Sequence, residues 1–255
     1  MLLALDVGNT NITIGLFQDS KLVGDWRLST NQHVTSDELG LQIDSLLHAS
    51  GINGGDADQV VVSSVVPYLN RPLSDGLKRY LGVRPFFLSA EENGVLGLEV
   101  DEPSAVGTDR IANCIAAWYK YGGPTLIIDF GTATSYDLLS EEGNFLGGAI
   151  GPEMEIALET LYHKAALLPE VELQTPDSVI GKTTAQNMNS GFLLGFICMI
   201  EGMIELFKEE YSTDLEVIAT GGKGRIFCEE MDAIDLYDEY LVLEGLRHWW
   251  QLTRK

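Results

Sequence analysis

Two short stretches of this sequence combine an acid, a glycine and small hydroxyl-bearing residues in an order that can hold phosphate. Leu126-Ile127-Ile128-Asp129-Phe130-Gly131-Thr132-Ala133-Thr134 is an apolar run that ends in an acid, then a glycine, then threonines. Such a run reads as a buried strand entering a tight turn whose backbone amides and hydroxyls face outward. The same order opens the chain in Leu3-Ala4-Leu5-Asp6-Val7-Gly8-Asn9-Thr10. A single copy is an ordinary strand end, because Asp and Gly are what turns contain. Two copies, one opening each half of the chain, indicate a duplicated domain with two phosphate-facing turns across a cleft. That arrangement suits a nucleotide, each glycine admitting backbone where a Cβ would clash.

Three further groups carry candidate chemistry. Gly107-Thr108-Asp109-Arg110 falls near the start of a helix. An acid there can take a proton from an alcohol while the adjacent guanidinium holds a carboxylate in bidentate fashion; the plainer alternative is a capping acid beside a surface arginine. Gly221-Gly222-Lys223-Gly224 follows an apolar strand and is a glycine turn able to lie flat against a purine or ribose. Gly181-Lys182-Thr183-Thr184 imitates the tail of a Walker A motif, but Pro176 stands where its first glycine would be, so that reading fails. Thr184 is then either a helix N-cap or a ligand for something polar.

The elements that must position these groups follow from periodicity. Residues 2–7, 11–17 and 21–28 read as a three-stranded meander, followed by a helix from Thr35 or Ser36 to Gly51, a strand over 59–66, a helix from Pro67 to Tyr80 and a short strand over 84–88. Ser104 is expected to cap a helix through Tyr121, which Gly122-Gly123-Pro124 ends. The second half restarts the pattern with strands around 126–130, 136–139 and 145–150. A helix over 155–167, a long helix over 184–211, a strand over 216–220 and a closing helix over 241–252 complete it. The long helix carries Met188, Phe192, Phe196, Met199, Met203 and Phe207, a stripe expected in a core rather than around a cofactor. Its Gly191, Gly195 and Gly202 predict close packing against another helix, within the chain or across a dimer.

Composition excludes several classes. Sixteen basic against 38 acidic residues leave a net charge of −22. The resulting field repels nucleic acid and anionic membranes, and it also repels ATP, so a nucleotide site must rely on local amides, a divalent metal and a few placed cations. Cys114, Cys198 and Cys228 are scattered, which signals neither a disulfide framework nor a zinc site and predicts core thiols. No uninterrupted apolar run reaches the roughly 18 residues that cross a bilayer, and Met1 leads directly into a strand. A cytoplasmic protein without nucleic-acid or membrane partners is expected, with 45% hydrophobic content enough for two domains, 1–118 and 119–255.

The ordered set Asp6-Val7-Gly8-Asn9-Thr10, Gly107-Thr108-Asp109-Arg110, Asp129-Phe130-Gly131-Thr132-Ala133-Thr134, Gly147-Gly148-Ala149-Ile150-Gly151-Pro152, Gly181-Lys182-Thr183-Thr184 and Ala219-Thr220-Gly221-Gly222 resembles the type III pantothenate kinases along nearly the whole chain. The resemblance implies the α/β fold of acetate and sugar kinases, Hsp70 and actin: two ribonuclease H-like domains, each a mixed sheet flanked by helices, with a cleft between them. It also implies ATP-dependent phosphorylation of the primary hydroxyl of pantothenate, the first step of coenzyme A synthesis.

By the same resemblance Asp6, Val7, Gly8, Asn9, Thr10, Asn11, Ile12 and Thr13 form the first ATP turn, with Asp6 serving Mg²⁺ directly or through water. Thr132 belongs to the second turn, and Gly221 and Gly222 to the adenosine side. Asp109 is the implied proton acceptor. Val100, Gly107, Thr108, Asp109, Arg110 and Thr184 are implied to line the pantothenate pocket, and Asp129 to bind a monovalent cation, K⁺ or NH₄⁺. Family members usually form homodimers. The chain departs from common family residues at Val100, where an aromatic or polar residue is frequent, and at Thr108, where a small apolar one is. Two alternatives stay open: a non-catalytic regulatory homologue of the same fold, and a kinase acting on another small alcohol.

Overall fold

Strand β1, Leu2–Val7, has no polar residue before Asp6 and is buried along all but that position. Continuous burial of this kind marks a strand covered on both faces, and β1 is the centre of its sheet. The computed structural model describes residues 1–211, 214–222 and 224–254. Lys223 of the second glycine turn lies outside the described residues.

The chain divides into two compact units. The first comprises Met1–Gly122, Gly143–Leu146 and Tyr240–Lys255, and the second Gly123–Glu142 and Gly147–Glu239. The cut expected at 118/119 falls close to the first crossing, but the last 16 residues and the short Gly143–Leu146 segment belong with the first unit.

In the first unit, β1 pairs antiparallel with β2 (Asn11–Gln18) and parallel with β4 (Gln59–Ser64). With β3 (Lys21–Ser29) and β5 (Phe86–Phe87) the order is β3-β2-β1-β4-β5. Helix α1 (Ser36–Ala49) starts at the Thr35/Glu38 capping box read from the sequence, and α2 (Pro67–Tyr80) starts at the expected proline. Leu39, Ile43 and Leu47 of α1 and Leu69, Leu73 and Leu77 of α2 enter one core with β1, β2 and β4.

Ser104 does not cap the next helix. Residues Pro103–Ala105 form a single 3₁₀ turn, and Val106 and Gly107 are extended, with ψ of 126° and 138°. Two extended residues break the helical hydrogen-bond ladder, so α3 begins only at Thr108 and runs to Lys120. Asp109 therefore sits in the first turn of α3 rather than in the interior of a longer helix.

The second unit repeats this plan. Strands β6 (Thr125–Phe130), β7 (Ala133–Leu139), β8 (Phe145–Pro152), β9 (Glu216–Thr220) and β10 (Leu236–Tyr237) are ordered β10-β9-β6-β7-β8. Read outward from β6, this is the arrangement around β1, again with an antiparallel hairpin partner and a parallel partner. Helix α4 (Met154–Lys164) is capped by the buried Glu153 carboxylate, which accepts from Ile156 N–H at 3.0 Å.

The long helix is interrupted: α5 (Thr184–Asn189), a π turn over Ser190–Leu194, then α6 (Gly195–Tyr211). Met188, Leu193, Ile200 and Ile204 are buried, and Phe192, Phe196, Met199, Met203 and Phe207 pack partly against the same core, as the stripe predicts. The glycines do not pack within the chain, since a Cβ on Gly191, Gly195 or Gly202 would meet nothing within 4 Å. Among the described residues, 184–211 is also long and apolar enough by length and composition to cross a membrane, with 22% of its most apolar window buried. A count of uninterrupted apolar runs passes over it because Asn189, Ser190 and Glu201 punctuate the segment. Cys198 on α6 is exposed, so of the three cysteines only Cys114 is fully a core thiol. Helix α7 (Gly224–Glu230) and β10 were not foreseen.

Helix α8 (Leu241–Thr253) returns to the first unit and lies against α3. The contact is so close that a Cβ on Gly245 would land on the carbonyl oxygen of Ala112. Backbone cannot swing aside as a side chain can. Gly245→Ala is expected to lower the unfolding free energy by about 1–3 kcal/mol through overpacking, measured by urea denaturation.

Candidate active site

The β1–β2 hairpin forms the first acid–glycine–threonine corner. Gly8 N–H donates to Asn11 O at 3.0 Å, Thr30 Oγ1 donates to Gly8 O at 2.6 Å, and Thr30 N–H donates to Thr10 O at 2.9 Å. The corner is thus braced from β3, by a residue that the sequence reading missed. Asn9, Thr10 and Asn11 are exposed, Asp6 and Thr13 half-buried. Val7 and Ile12 are buried in the core, and each is paired with a strand on both sides, so they support the corner from within the sheet.

Parallel pairing sets Asp6 beside Ser63 and Val7 beside Ser64. Ser63, fully buried, lies with its Oγ 3.0 Å from Thr108 Oγ1, and Ser64 N–H donates to the same Thr108 oxygen at 3.0 Å. Thr108 is the first residue of α3, so Gly107–Arg110 stands at the same end of the sheet as the first corner. The signal for Ser63 and Ser64 was present in the sequence: two hydroxyls closing the otherwise apolar Val60-Val61-Val62.

Asp109 is half-buried. Burial pushes its carboxyl above the ordinary aspartate value, opposed by the hydrogen bond from Arg110 N–H to Oδ1 at 2.8 Å and by the Arg110 charge. Arg110 itself lies over Phe145, its guanidinium carbon 5.3 Å from the ring centroid. The Phe145 backbone pairs with the loop carrying Val100: Leu98 and Phe145 form a parallel bridge, and Glu99 N–H donates to Phe145 O at 2.9 Å. Half-buried Val100 follows Glu99 directly, so Phe145 connects the Arg110 side chain to the Val100 loop.

In the second unit, Asp129 pairs with Thr220, the counterpart of Asp6 with Ser63. Thr132 is exposed in the hairpin turn, where Gly131 N–H donates to Ala133 O at 3.1 Å. Gly221 follows Thr220 with φ of +87°, and Tyr237 Oη donates to its carbonyl at 2.9 Å. A Cβ there would lie 2.5 Å from Asp129 Oδ1 and 2.6 Å from Phe130 O. The bare face of Gly221 is therefore a small cradle bounded by a carboxylate and a carbonyl oxygen, the donor types that hard cations take. Gly222 is exposed beside it. Among the described residues no three His, Cys, Asp or Glu side chains gather to hold a metal alone.

Thr184 belongs to the second unit, whereas Gly107–Arg110 belongs to the first. The N-cap of α5 is Thr183, whose side chain accepts from Gln186 N–H while Gln186 Oε1 accepts from Thr183 N–H at 3.1 Å. Thr184 is therefore not the cap, and it is exposed.

A model of the type III pantothenate kinase family matches residues 2–206. The chain belongs to the type III pantothenate kinase family. It is 42% identical over 255 residues to a type III pantothenate kinase from an Exiguobacterium species, covering 100% of both chains. It is 40% identical over 246 residues to the one from Bacillus cytotoxicus, covering 96% of this chain and 94% of the other. Solved structures agree on the fold. A conserved Baf-family transcriptional activator from Campylobacter jejuni superposes with a TM-score of 0.62 at 19% identity over 98% of each chain. The polyphosphate/ATP-glucomannokinase from Arthrobacter gives 0.53 at 15%, covering 99% of each. At those identities the likeness speaks for the two-unit kinase fold alone.

The raised carboxyl of Asp109 has a sign that can be checked. Because its folded value exceeds the unfolded one, the native state binds the proton more tightly, and stability falls as pH rises through the interval between them. The deficit persists at neutral pH. Asp109→Asn is expected to be more stable than the native chain at pH 7.5 and to lose that advantage below about pH 3.9, as followed by urea melts at both pH values.

Proposed function

We propose that this chain transfers the γ-phosphoryl group of ATP to the primary hydroxyl of pantothenate, with Asp109 accepting the hydroxyl proton. Full-length identity to type III pantothenate kinases supports the reaction. The observation that carries the base assignment is the seat of Asp109: half-buried, in the first turn of α3, beside a guanidinium and with a carboxyl held above its ordinary value. Such a group is a better proton acceptor than an exposed aspartate.

Phosphoryl transfer asks for positioning and charge neutralisation more than covalent help. The Asp6–Thr13 corner binds the ATP phosphates through its exposed Asn9, Thr10 and Asn11, Asp6 serving Mg²⁺. Thr132 serves the second phosphate turn, and Gly221 and Gly222 lie against the adenosine. Arg110, whose ring contact with Phe145 fixes its direction, binds the pantothenate carboxylate. Gly107, the Thr108 backbone and Val100 line that pocket within the first unit. When bound, Mg²⁺ neutralises charge on the transferring and leaving groups, and K⁺ or NH₄⁺ at the Asp129 and Phe130 oxygens adds to it. These local charges offset the repulsion that a net −22 imposes on ATP.

The partner we assign to the open side of 184–211 is a second copy of this chain. Leu206 is 58% exposed, and the three glycines offer a small-residue surface on which another helix can approach closely. We place the enzyme in the cytoplasm as a homodimer.

In a coupled ADP-release assay, pantothenate is expected to be phosphorylated in the presence of K⁺ or NH₄⁺, and sugars or other small alcohols to give no turnover. Asp109→Asn should bind ATP normally and lose about 100-fold or more in kcat, the scale of a removed general base; native turnover in that variant refutes the assignment. Leu206→Glu is expected to sediment as a monomer where the native chain sediments as a dimer. An unchanged sedimentation coefficient means that another surface joins the copies.

A further inference from the structure

Thr108 is placed for a task other than contact with substrate. A threonine hydroxyl has one proton and two lone pairs. Here its oxygen accepts Ser64 N–H at 3.0 Å and shares a hydrogen bond with Ser63 Oγ at 3.0 Å, so its side chain is directed to the end of β4. Ser64 is itself held, its Oγ donating to Asn70 Oδ1 at 2.6 Å, which ties the contact on to α2. Meanwhile the N-cap of α3 is Gly107, with no side chain to satisfy the first free amides of the helix. The start of α3 therefore lacks the usual local anchor and has a tertiary one.

The Asp109 carboxylate depends on that anchor at one remove. Its rotamer is set locally: Arg110 N–H holds Oδ1 at 2.8 Å, and Oδ1 folds back so far that a Cβ on Gly107 would lie 2.5 Å from it. The place of that whole turn relative to Asp6 is set by Ser63, the strand neighbour of Asp6, and by the Ser63–Thr108 bond. We infer that Thr108 is a positioning residue, its hydroxyl lashing the first turn of α3 to the end of β4 so that Asp109 stands at a fixed place beside the first phosphate corner. This rests on Asp109 being the base. Thr108 accordingly acts on turnover more than on the affinity for pantothenate, because Arg110, on the same turn, is held separately over the Phe145 ring.

The test compares Thr108→Val, Thr108→Ser and Asp109→Asn with the native enzyme, measuring kcat, both KM values and the melting temperature. Valine keeps the shape and removes both hydrogen bonds; serine keeps the hydroxyl. The expected result is a kcat about tenfold lower or worse for Thr108→Val, the scale of a misplaced catalytic group, with both KM values within about twofold of native. Thr108→Ser is expected to recover kcat to within about twofold, which a role in helix stability alone would not require. Native kcat in Thr108→Val beside an inactive Asp109→Asn overturns the inference, as does a loss carried entirely by the KM for pantothenate. Native turnover in Asp109→Asn instead overturns the base assignment on which it stands. If Thr108→Val does not fold, Ser63→Ala reads the same tie from the strand side: lowered kcat at unchanged KM supports it, and unchanged kcat sinks it.

Discussion

Parallel pairing of β1 with β4 is the constraint from which the first unit follows. β1 is apolar and buried up to Asp6, and β4 is so over Val60–Val62 between Gln59 and Ser63, so polar groups appear only at the strand ends. In-register pairing then makes those ends coincide, Asp6 against Ser63 and Val7 against Ser64. Ligands of open α/β sheets collect at carboxyl ends for this reason: the strand interior is closed to water, and the ends offer unpaired backbone and room for a turn. Except for Val100, on the loop that pairs with Phe145, everything assigned a role in the first unit lies at that edge or on the turn of α3 fastened to it.

Holding an acid there has a cost. Asp109 is half-buried in a protein whose charge is already strongly negative, and burial raises its carboxyl despite the adjacent Arg110. A more exposed acid would be easier to ionise and a weaker proton acceptor; a fully buried one would stay protonated at neutral pH. The balance is struck by one backbone amide and one guanidinium, and the guanidinium is restrained by the Phe145 ring. The pull toward function and the pull toward stability meet in a single side chain.

The repeat was legible because it is written in residue types: Asp6-Val7-Gly8 and Asp129-Phe130-Gly131 open matching sheets with the same partners in the same senses. Capping chemistry was equally readable at Thr35 and Glu38, where donor and acceptor are three residues apart. What local pattern could not reveal was set by distant contacts. Ser104 has the right type for a cap, but the extended Val106 and Gly107 between it and Thr108 move the helix start. The return of α8 to α3 depends on Gly245 meeting the Ala112 backbone, a fit that no periodicity encodes. Averaged hydropathy over 184–211 showed what a search for unbroken apolar runs did not, because Asn189, Ser190 and Glu201 break the run without making its most apolar window hydrophilic. The site residues named from resemblance fall at the two strand-end edges or on the loops and turns beside them, except Thr184, which opens α5.

The two halves share a frame and use it differently at one position. Ser64 and Gly221 each follow the residue paired with the strand-end acid. In the first unit the amide at that position is taken by Thr108, so a hydroxyl from α3 fills the space and the edge becomes a rigid seat for Asp109. In the second unit the residue is a glycine at φ +87°, and its bare Cα lies close against Asp129 and the Phe130 carbonyl with no room for a side chain. An L-residue there would be strained and would press its Cβ against both oxygens. A tied position fixes the first turn of α3 to its strand end, and a bare one lets the second strand end lie directly against Asp129 and Phe130. One residue at the strand end thus changes how the edge is built while the sheets that carry it stay alike.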